Sequence, residues 1–435
     1  FGGGPAWTWS ELRQQFYLHQ FLPEQPDLNF ELPAVREEFK EIARFWLRRG
    51  ADGLRVDSAI YLIEDTQNWS DNPPNPNWKP GDDPFDKQLH KYTRSLPASA
   101  EIVKDWRQIS LEPEFAGQQK VIITEAYEDD LNLLIEYYGR SPDDKFADLP
   151  FNFELLKINE NNMDSESIET LVMNWMTPTR NLRWPDEHGA MSPWIIWVTG
   201  NHDTKRAYNR VGPHNLIMLQ WLSYFLPGVP VNYYGDELPI SDAIFNDIPV
   251  KTIEEGESTR LPERVPMAWT PDEPSGGFSS AADIWMPLNR DYKWKNVESL
   301  LANTSDNHLK LFLQMQELRK THLSTFVFGD AVFFRNSPDE NKMILAVGRF
   351  HERFDRLLLL ANLDKDNEIV VRLRAGFSMV RRKPVAAPTA GQILMANYVN
   401  TTLAPQVKRS AILDNLEGFV LGRSQVIVMK YTSDN

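Results

Sequence analysis

Three acidic side chains each follow a short apolar run that has the pattern of a buried β-strand. The runs are Gly53-Leu-Arg-Val-Asp57, Ile122-Ile-Thr-Glu125 and Val198-Thr-Gly-Asn-His-Asp203, and each places its acid at or just past the carboxyl end of the strand. In a TIM barrel, catalytic side chains converge at that end of the strands. One such acid is more often a helix N-cap than a catalyst. Three of them predict a site that contains Asp57, Glu125 and Asp203.

Paired carboxyl groups on either side of an anomeric carbon are what cleavage of a glycosidic bond requires. One attacks the carbon or stabilises positive charge, while the other must carry a proton at the working pH. Arg55 lies two residues before Asp57, so both side chains point to the same face of a strand. Its guanidinium would keep Asp57 negatively charged, as a nucleophile requires. Glu125 has more reach and no cation beside it in sequence, which favours a protonated general acid.

Two further polar residues, His202 and Arg206, are candidate substrate contacts together with Asp203. His202 and Asp203 could hydrogen-bond sugar hydroxyls, and such bonds strengthen as the ring flattens towards an oxocarbenium ion. Arg206 follows the same segment closely, so it is expected at the rim of a pocket, or paired with an acid there. Two alternatives stay open: Arg55 as a buried ion pair between strands, and His202 as an ordinary loop histidine with its hydrogen bonds satisfied.

The elements that must position these residues alternate in type from residue 30 to about 240. Val35, Phe39, Ile42 and Trp46 recur at helical spacing and predict the first helix. Five β–α alternations in this stretch imply a parallel sheet with helical crossovers. From residue 328 onward, short apolar runs separated by turn signals predict a separate antiparallel β domain.

Composition excludes several classes of partner and cofactor. The 435 residues carry a formal net charge of −15, and such a chain repels nucleic acid and anionic membranes, so no nucleic-acid partner is expected. The absence of cysteine excludes thiol chemistry, Fe–S clusters and cysteine zinc sites, and the eight histidines include no HxxxH pair of the kind found in metalloproteases. No apolar run reaches the roughly 18–20 residues of a membrane helix, so membrane contact would need an anchor outside this chain.

The acidic segments resemble a known family. Asp52-Gly-Leu-Arg-Val-Asp57, Thr124-Glu-Ala-Tyr127 and Gly200-Asn-His-Asp203 resemble, in order, the second, third and fourth signature regions of glycoside hydrolase family 13, the α-amylase family. Gln25-Pro-Asp-Leu-Asn29 has the form typical of its α-glucosidases and oligo-1,6-glucosidases. Other stretches look like insect maltases, among them Tyr17-Leu-His-Gln-Phe21, and Arg264-Val-Pro-Met-Ala-Trp269 resembles the loop after the last strand of the family's barrel.

The resemblance implies roles and an architecture. Asp57 would be the nucleophile, Glu125 the acid/base and Asp203 the transition-state stabiliser, with Arg55 and His202 at the substrate. The fold would be a TIM (β/α)8 barrel, of which strands 4–8 are present, followed by an antiparallel β-sandwich. The expected domains are the end of a B domain (1–30), the barrel (31–327) and the C-terminal β domain (328–435). The intact protein is expected to have roughly 150–200 further residues upstream, from typical barrel lengths.

The implied activity is that of a retaining, exo-acting α-glucosidase on maltose, sucrose or short oligosaccharides, secreted or displayed at the cell surface. A non-catalytic binding protein on the same fold, such as a transporter heavy chain or a toxin receptor, is one alternative. A transglycosylase or sucrose isomerase is another, because these enzymes share the three carboxylates. No cofactor is expected in this segment, and a structural calcium would belong to the upstream part.

Overall fold

The computed structural model describes residues 4–67, 71–141, 143–182, 184–186, 189–191, 193–243, 262–281, 284–337, 341–397 and 409–433. For residues 184–186 and 189–191 the description is limited to the backbone. The chain divides into two compact units. The first comprises Phe1–Phe151 with Asn181–Pro193, and the second comprises Asn152–Arg180 with Trp194–Asn435. The domain boundaries expected from the sequence differ from this division and stay predictions.

The first unit combines two hairpins with a parallel sheet. Its elements are β1 (Trp7–Ser10), β2 (Gln15–Leu18), α1 (Pro33–Arg48), β3 (Gly53–Val56), α2 (Pro97–Ile109), β4 (Val121–Thr124), α3 (Leu131–Glu136), β5 (Leu149–Asn152), β6 (Trp184–Asp186) and β7 (Gly189–Met191). Strand β4 pairs in parallel with β3 and with β5, with Val56 opposite Thr124. The carboxyl ends of β3 and β4 therefore lie side by side.

Helix α1 confirms the predicted first helix, and only part of its apolar surface is buried. Proline at its first position fixes a helical φ where no amide donor is needed. The predicted apolar face includes Ile42 and Trp46, yet these are 41% and 53% exposed within the described chain. Ala43 and Leu47 are the buried residues instead. Periodicity identified the helix, but packing decided which of two neighbouring apolar faces is covered.

The second unit begins with helices and two parallel strands. These are α4 (Ser165–Asn181), β8 (Ile196–Val198), α5 (Ala207–Phe225), β9 (Val229–Val231), α6 (Val297–Ala302), α7 (His308–Thr321) and α8 (Leu323–Phe328). Strand β8 pairs in parallel with β9, with Val198 opposite Val231. Helix α5 is kinked at Gly212, which has φ 73° and ψ 160°. The part of α5 after this kink starts at Pro213, which cannot continue the preceding helix but can begin a new one.

The remainder of the second unit is antiparallel. Its strands are β10 (Asp330–Asn336), β11 (Ile344–His351), β12 (Phe354–Asn362), β13 (Ile369–Val371), β14 (Leu373–Ser378), β15 (Pro384–Val385), β16 (Ala390–Ala396), β17 (Ile412–Leu413), β18 (Phe419–Leu421) and β19 (Val426–Thr432). Eight of them form one sheet in the order β15-β14-β10-β11-β12-β19-β16-β17, and β13 pairs with β18. Residues of both sheets share one apolar core, which is the arrangement of a β-sandwich.

Strand β12 explains why this region shows runs of apolar residues rather than strict alternation. Leu357, Leu358, Leu359 and Leu360 are all fully buried. Successive side chains point to opposite faces of a strand, so both faces of β12 must be covered. One face belongs to the sandwich core, which contains Leu358 and Leu360, and helices α5 and α8 contact the strand as well.

Replacing Leu358 with alanine is expected to lower the free energy of unfolding of this unit by about 3 kcal/mol, because the mutation leaves a cavity in a core between paired strands. Denaturant unfolding of the protein measures the change. Leu313→Ala, on the exposed side of α7, is the matched control and should change stability by less than about 0.5 kcal/mol. Equal losses in the two variants would contradict the proposed core.

Candidate active site

The ends of β3 and β4 bring Asp57 and Glu125 together in the first unit. The amide of Glu125 donates to the Val56 carbonyl at 2.8 Å, and the amide of Ala59 donates to the Glu125 carbonyl at 2.9 Å. The chain after β3 thus wraps over the first residue after β4. The two carboxyl groups that were singled out from the sequence lie at adjacent strand ends because the strands run in parallel.

Arg55 links these two carboxyl groups. Its Nη1 lies 2.5 Å from Asp57 Oδ1, and its Nη2 lies 3.5 Å from Glu125 Oε1. The side chain of Asp57 is 68% exposed, whereas that of Glu125 is 6% exposed. One carboxylate is therefore open to a reagent and the other is desolvated, which gives the two groups different chemistry.

Burial raises the pKa of Glu125 above its ordinary value of 4.5. The negative charge of Asp57 and a hydrogen bond between the two carboxyl groups raise it further, whereas the Ser58 amide and the Arg55 guanidinium lower it. Glu125 has no cation beside it in sequence, but the parallel register of β3 and β4 brings Arg55 to it in space. The pKa of Glu125 is still raised, as a general acid requires, because burial is the largest influence on it.

Sequence reasoning missed the backbone amide of Ser58. It donates to Glu125 Oε2 at 2.9 Å, from a residue with φ 47° and ψ 42°. This left-handed conformation costs about 1 kcal/mol for a residue with a side chain. The turn after Asp57 adopts it and thereby fixes one oxygen of Glu125. No side-chain pattern in the sequence could have revealed a contact made by the main chain.

The second unit holds Asp203 in a tight turn after β8. Oδ1 of Asn201 accepts hydrogen bonds from the Asp203 amide and the Thr204 hydroxyl, both at 3.0 Å. Oδ2 of Asp203 lies 3.5 Å from Nε2 of His202. The two residues predicted from the Gly200-Asn-His-Asp203 segment therefore contact each other, and the side chain of His202 is about half exposed.

Arg264 is the residue of this site that the sequence did not assign. Its Nη2 donates to Asp203 Oδ1 at 2.9 Å, and its Nε donates to the His202 carbonyl at 2.8 Å. It ends a short 3₁₀ turn, Pro262–Arg264. The only signal was its place in the Arg264-Val-Pro-Met-Ala-Trp269 motif, which resembled a family loop without naming a role. Both oxygens of Asp203 thus face cationic or potentially cationic groups.

Arg206, predicted as a substrate contact, points into the interior of the second unit. Its side chain is fully buried, and its Nη1 donates to the Tyr234 carbonyl at 2.8 Å. It lies 3.5 Å from Asp236, so the alternative of pairing with an acid describes it better. Proximity in sequence to Asp203 was misleading, because the backbone turns between the two residues and the start of α5 directs Arg206 inward.

Comparison with known proteins agrees with the signature segments. The family model described as the α-amylase catalytic domain matches residues 1–329. The chain belongs to the α-amylase family. The resemblance drawn from the three acidic segments is thereby confirmed.

Two relatives of this α-amylase family chain illustrate the range of its neighbours. An α-glucosidase of Apis mellifera is 35% identical over 368 residues, which are 80% of this chain and 60% of that protein. An amino acid transporter heavy chain of Homo sapiens is 31% identical over 363 residues, 82% of this chain and 49% of that protein. The chain thus spans about three fifths or less of the length of these relatives.

A solved structure shows the same fold. Trehalose-6-phosphate hydrolase of Bacillus licheniformis superposes with a TM-score of 0.74 at 20% identity, covering 99% of this chain and 74% of that one. Together with the family match, this confirms the predicted fold class, a family-13 barrel followed by an antiparallel β domain.

The described part of this α-amylase family chain contains neither a cluster of metal-ligating side chains nor a membrane-spanning helix. Among its residues, no group of three or more histidine, aspartate or glutamate side chains is placed to hold a metal ion. None of the helices within the described ranges is long and apolar enough to cross a membrane.

Proposed function

We propose that the full-length protein is a retaining, exo-acting α-glucosidase that releases terminal α-linked glucose from maltose, sucrose or short oligosaccharides. The observation that carries the proposal is the carboxyl pair of the first unit, in which exposed Asp57 and buried Glu125 share Arg55. Retaining chemistry needs one ionised and one protonated carboxyl group. The similarity to the Apis mellifera α-glucosidase supports the substrate class.

The mechanism follows from these environments. Asp57 attacks the anomeric carbon while Glu125 donates its proton to the leaving oxygen, so that one C–O bond forms and the glycosidic bond breaks. Glu125, now ionised, takes a proton from water, which attacks the glucosyl ester and releases glucose and free Asp57. Arg55 Nη1 lies 2.5 Å from Asp57 Oδ1 and orients that carboxylate for the attack.

Asp203 has the role of transition-state stabiliser in this proposal. The family resemblance assigns that role, and the contacts in the second unit support it. Arg264 donates to Oδ1 of Asp203 at 2.9 Å and Nε2 of His202 lies 3.5 Å from Oδ2, so each oxygen has a partner that favours one orientation of the carboxylate. A fixed carboxylate can oppose the positive charge of an oxocarbenium-like ring without reorganising during the reaction.

The decisive experiment for the activity is hydrolysis of maltose by the full-length protein, followed by NMR of the first-formed glucose. We expect α-glucose before mutarotation, because two displacements retain the configuration. First-formed β-glucose would refute the retaining mechanism, and no release of glucose from maltose, sucrose or an aryl α-glucoside would refute the activity.

The pH dependence follows from the raised pKa of Glu125. Protonation of the leaving group requires the neutral carboxyl, so activity on maltose should persist above pH 4.5 and fall as pH rises through this raised pKa. The alkaline limb of the kcat/KM profile measures it. In Glu125→Gln this limb should disappear from the residual activity; an unchanged limb would assign it to another group.

One other function has an observation in its favour, namely the similarity to an amino acid transporter heavy chain. Such a role would not need catalytic carboxyl groups. The Asp57–Glu125 pair combines one exposed and one buried carboxyl group, the difference that a nucleophile and a general acid require, which is why we favour catalysis. The maltose experiment separates the two functions.

Transglycosylation or sucrose isomerisation would use the same glucosyl ester and differ only in which hydroxyl attacks it. Incubation with concentrated sucrose distinguishes them. Glucose and fructose in equal amounts are expected for hydrolysis, whereas new disaccharides would indicate transfer. Secretion is likewise a proposal, and it is tested by detecting the protein outside the cells that produce it.

A further inference from the structure

Asp236 lies against the turn that carries Asp203. Its side chain is 1% exposed, and a Cβ added at Gly200 would lie 2.7 Å from Asp236 Oδ2 and 3.3 Å from Tyr233 Cβ. Both distances are shorter than ordinary carbon contacts, so only glycine fits at position 200 without a shift. The backbone at the start of the Gly200-Asn-His-Asp203 segment therefore rests directly on a buried carboxyl group.

Arg206 approaches the same carboxyl group from the other end of the turn. Its Nη1 lies 3.5 Å from Asp236 Oδ1 and donates to the Tyr234 carbonyl at 2.8 Å. The guanidinium also lies 4.8 Å and 5.1 Å from the ring centres of Tyr233 and Tyr234, within the range of a cation–π contact. The turn that contains Asp203 is thus held at both flanks, by Gly200 and by Arg206.

The same cluster reaches the cationic partner of Asp203. The hydroxyl of Tyr234 donates to the Val265 carbonyl at 2.6 Å. Val265 is the neighbour of Arg264, whose guanidinium binds Asp203. A shift of the Arg206–Asp236 pair would therefore displace both the carboxylate of Asp203 and the arginine that orients it.

Burial of this pair has an energetic cost that its own attraction does not cancel. Desolvation raises the pKa of Asp236 to about 7, although Arg206 and Arg210 both oppose the rise. Buried ion pairs are often no more stabilising than apolar residues of similar volume. A function other than stability would explain why the Arg206–Asp236 pair packs against the turn that carries Asp203.

We propose that Asp236 and Arg206 are positioning residues, which hold the Asp203 turn and Arg264 in the geometry that the reaction needs. The role of Asp203 rests on the proposed function. Neither residue touches substrate in this scheme; each acts through the backbone of the turn or through Tyr234.

The test compares Asp236→Ala with Asp330→Ala in the full-length protein. Asp330 is the matched control, since it is also a buried aspartate of the second unit, but its carboxylate binds Ser378 and the amides of Val380 and Arg381. We expect Asp236→Ala to lower kcat on an aryl α-glucoside by roughly 10²-fold with KM changed less than threefold, as for a misplaced catalytic group. Asp330→Ala should lower the thermal midpoint only.

Hydrogen exchange supplies a measurement that does not depend on activity. In Asp236→Ala, peptides covering 198–206 and 262–268 should exchange faster while the rest of the unit is unchanged. If this variant does not fold, Gly200→Ala tests the same contact without removing a charge, and the same two peptides should respond.

Unchanged kcat and unchanged local exchange in a folded variant would overturn the proposal. A wild type without glucosidase activity would refute the proposed function, whereas the exchange data would still decide whether the pair holds the turn.

Discussion

Replacing Asp57 with alanine in the full-length protein should abolish hydrolysis of maltose, with a loss on the order of 10⁴–10⁶-fold in kcat, the range found when a nucleophile of a catalytic unit is removed. The reason is that the remaining groups can protonate the leaving oxygen but cannot form the glucosyl ester. Initial rates of glucose release measure the loss. Because the side chain is 68% exposed, its removal should leave the fold intact.

Added azide distinguishes a missing nucleophile from a damaged site. In Asp57→Ala, azide can attack the anomeric carbon of an aryl α-glucoside from the vacated side, while the aryloxide leaves. The product should be β-glucosyl azide, formed by a single displacement. The control Asp52→Asn changes an exposed aspartate at the other end of the same strand and should keep wild-type rates. Full activity of Asp57→Ala without azide would refute the assignment.

The second large effect concerns Glu125. Glu125→Gln should lower kcat on maltose by roughly 10²–10⁴-fold, because the leaving oxygen of a sugar needs a proton. The loss in the first step should be much smaller with 2,4-dinitrophenyl α-glucoside, whose leaving group needs none. Pre-steady-state release of dinitrophenol measures that step. An equal loss with both substrates would show that Glu125 does not act as the general acid.

Azide again separates the roles, with the opposite stereochemical result. In Glu125→Gln the glucosyl ester forms on Asp57, and azide then displaces Asp57 without base assistance, which should give α-glucosyl azide. The matched control is Glu64→Gln, because Glu64 is a buried glutamate of the same unit whose pKa burial raises to about 7. Its substitution should change kcat by less than about threefold if a raised pKa alone confers no catalytic role.

Neighbours in sequence predict only part of the division of roles between Asp57, the nucleophile, and Glu125, the general acid. The Arg55–Asp57 contact follows from the period of a strand, since residues two apart share a face. The environment of Glu125 does not follow in this way. Arg55, the Ser58 amide and Asp57 reach it across a parallel strand pair, and its pKa is set by burial that no local pattern specifies.

The sequence by itself determined the parallel strands, most of the helices, the antiparallel character of the C-terminal region and the identity of the candidate acids. These depend on local periodicity, strand ends and short signature segments, which are written in consecutive residues. Tertiary structure decided the face that α1 buries, the partnership of Arg264 with Asp203 and the inward position of Arg206 against Asp236. Those contacts join residues up to 61 positions apart, and a chain can bring such residues together only through packing. The physical reason is that burial and charge pairing are properties of a neighbourhood in space, which the order of residues along the chain does not state.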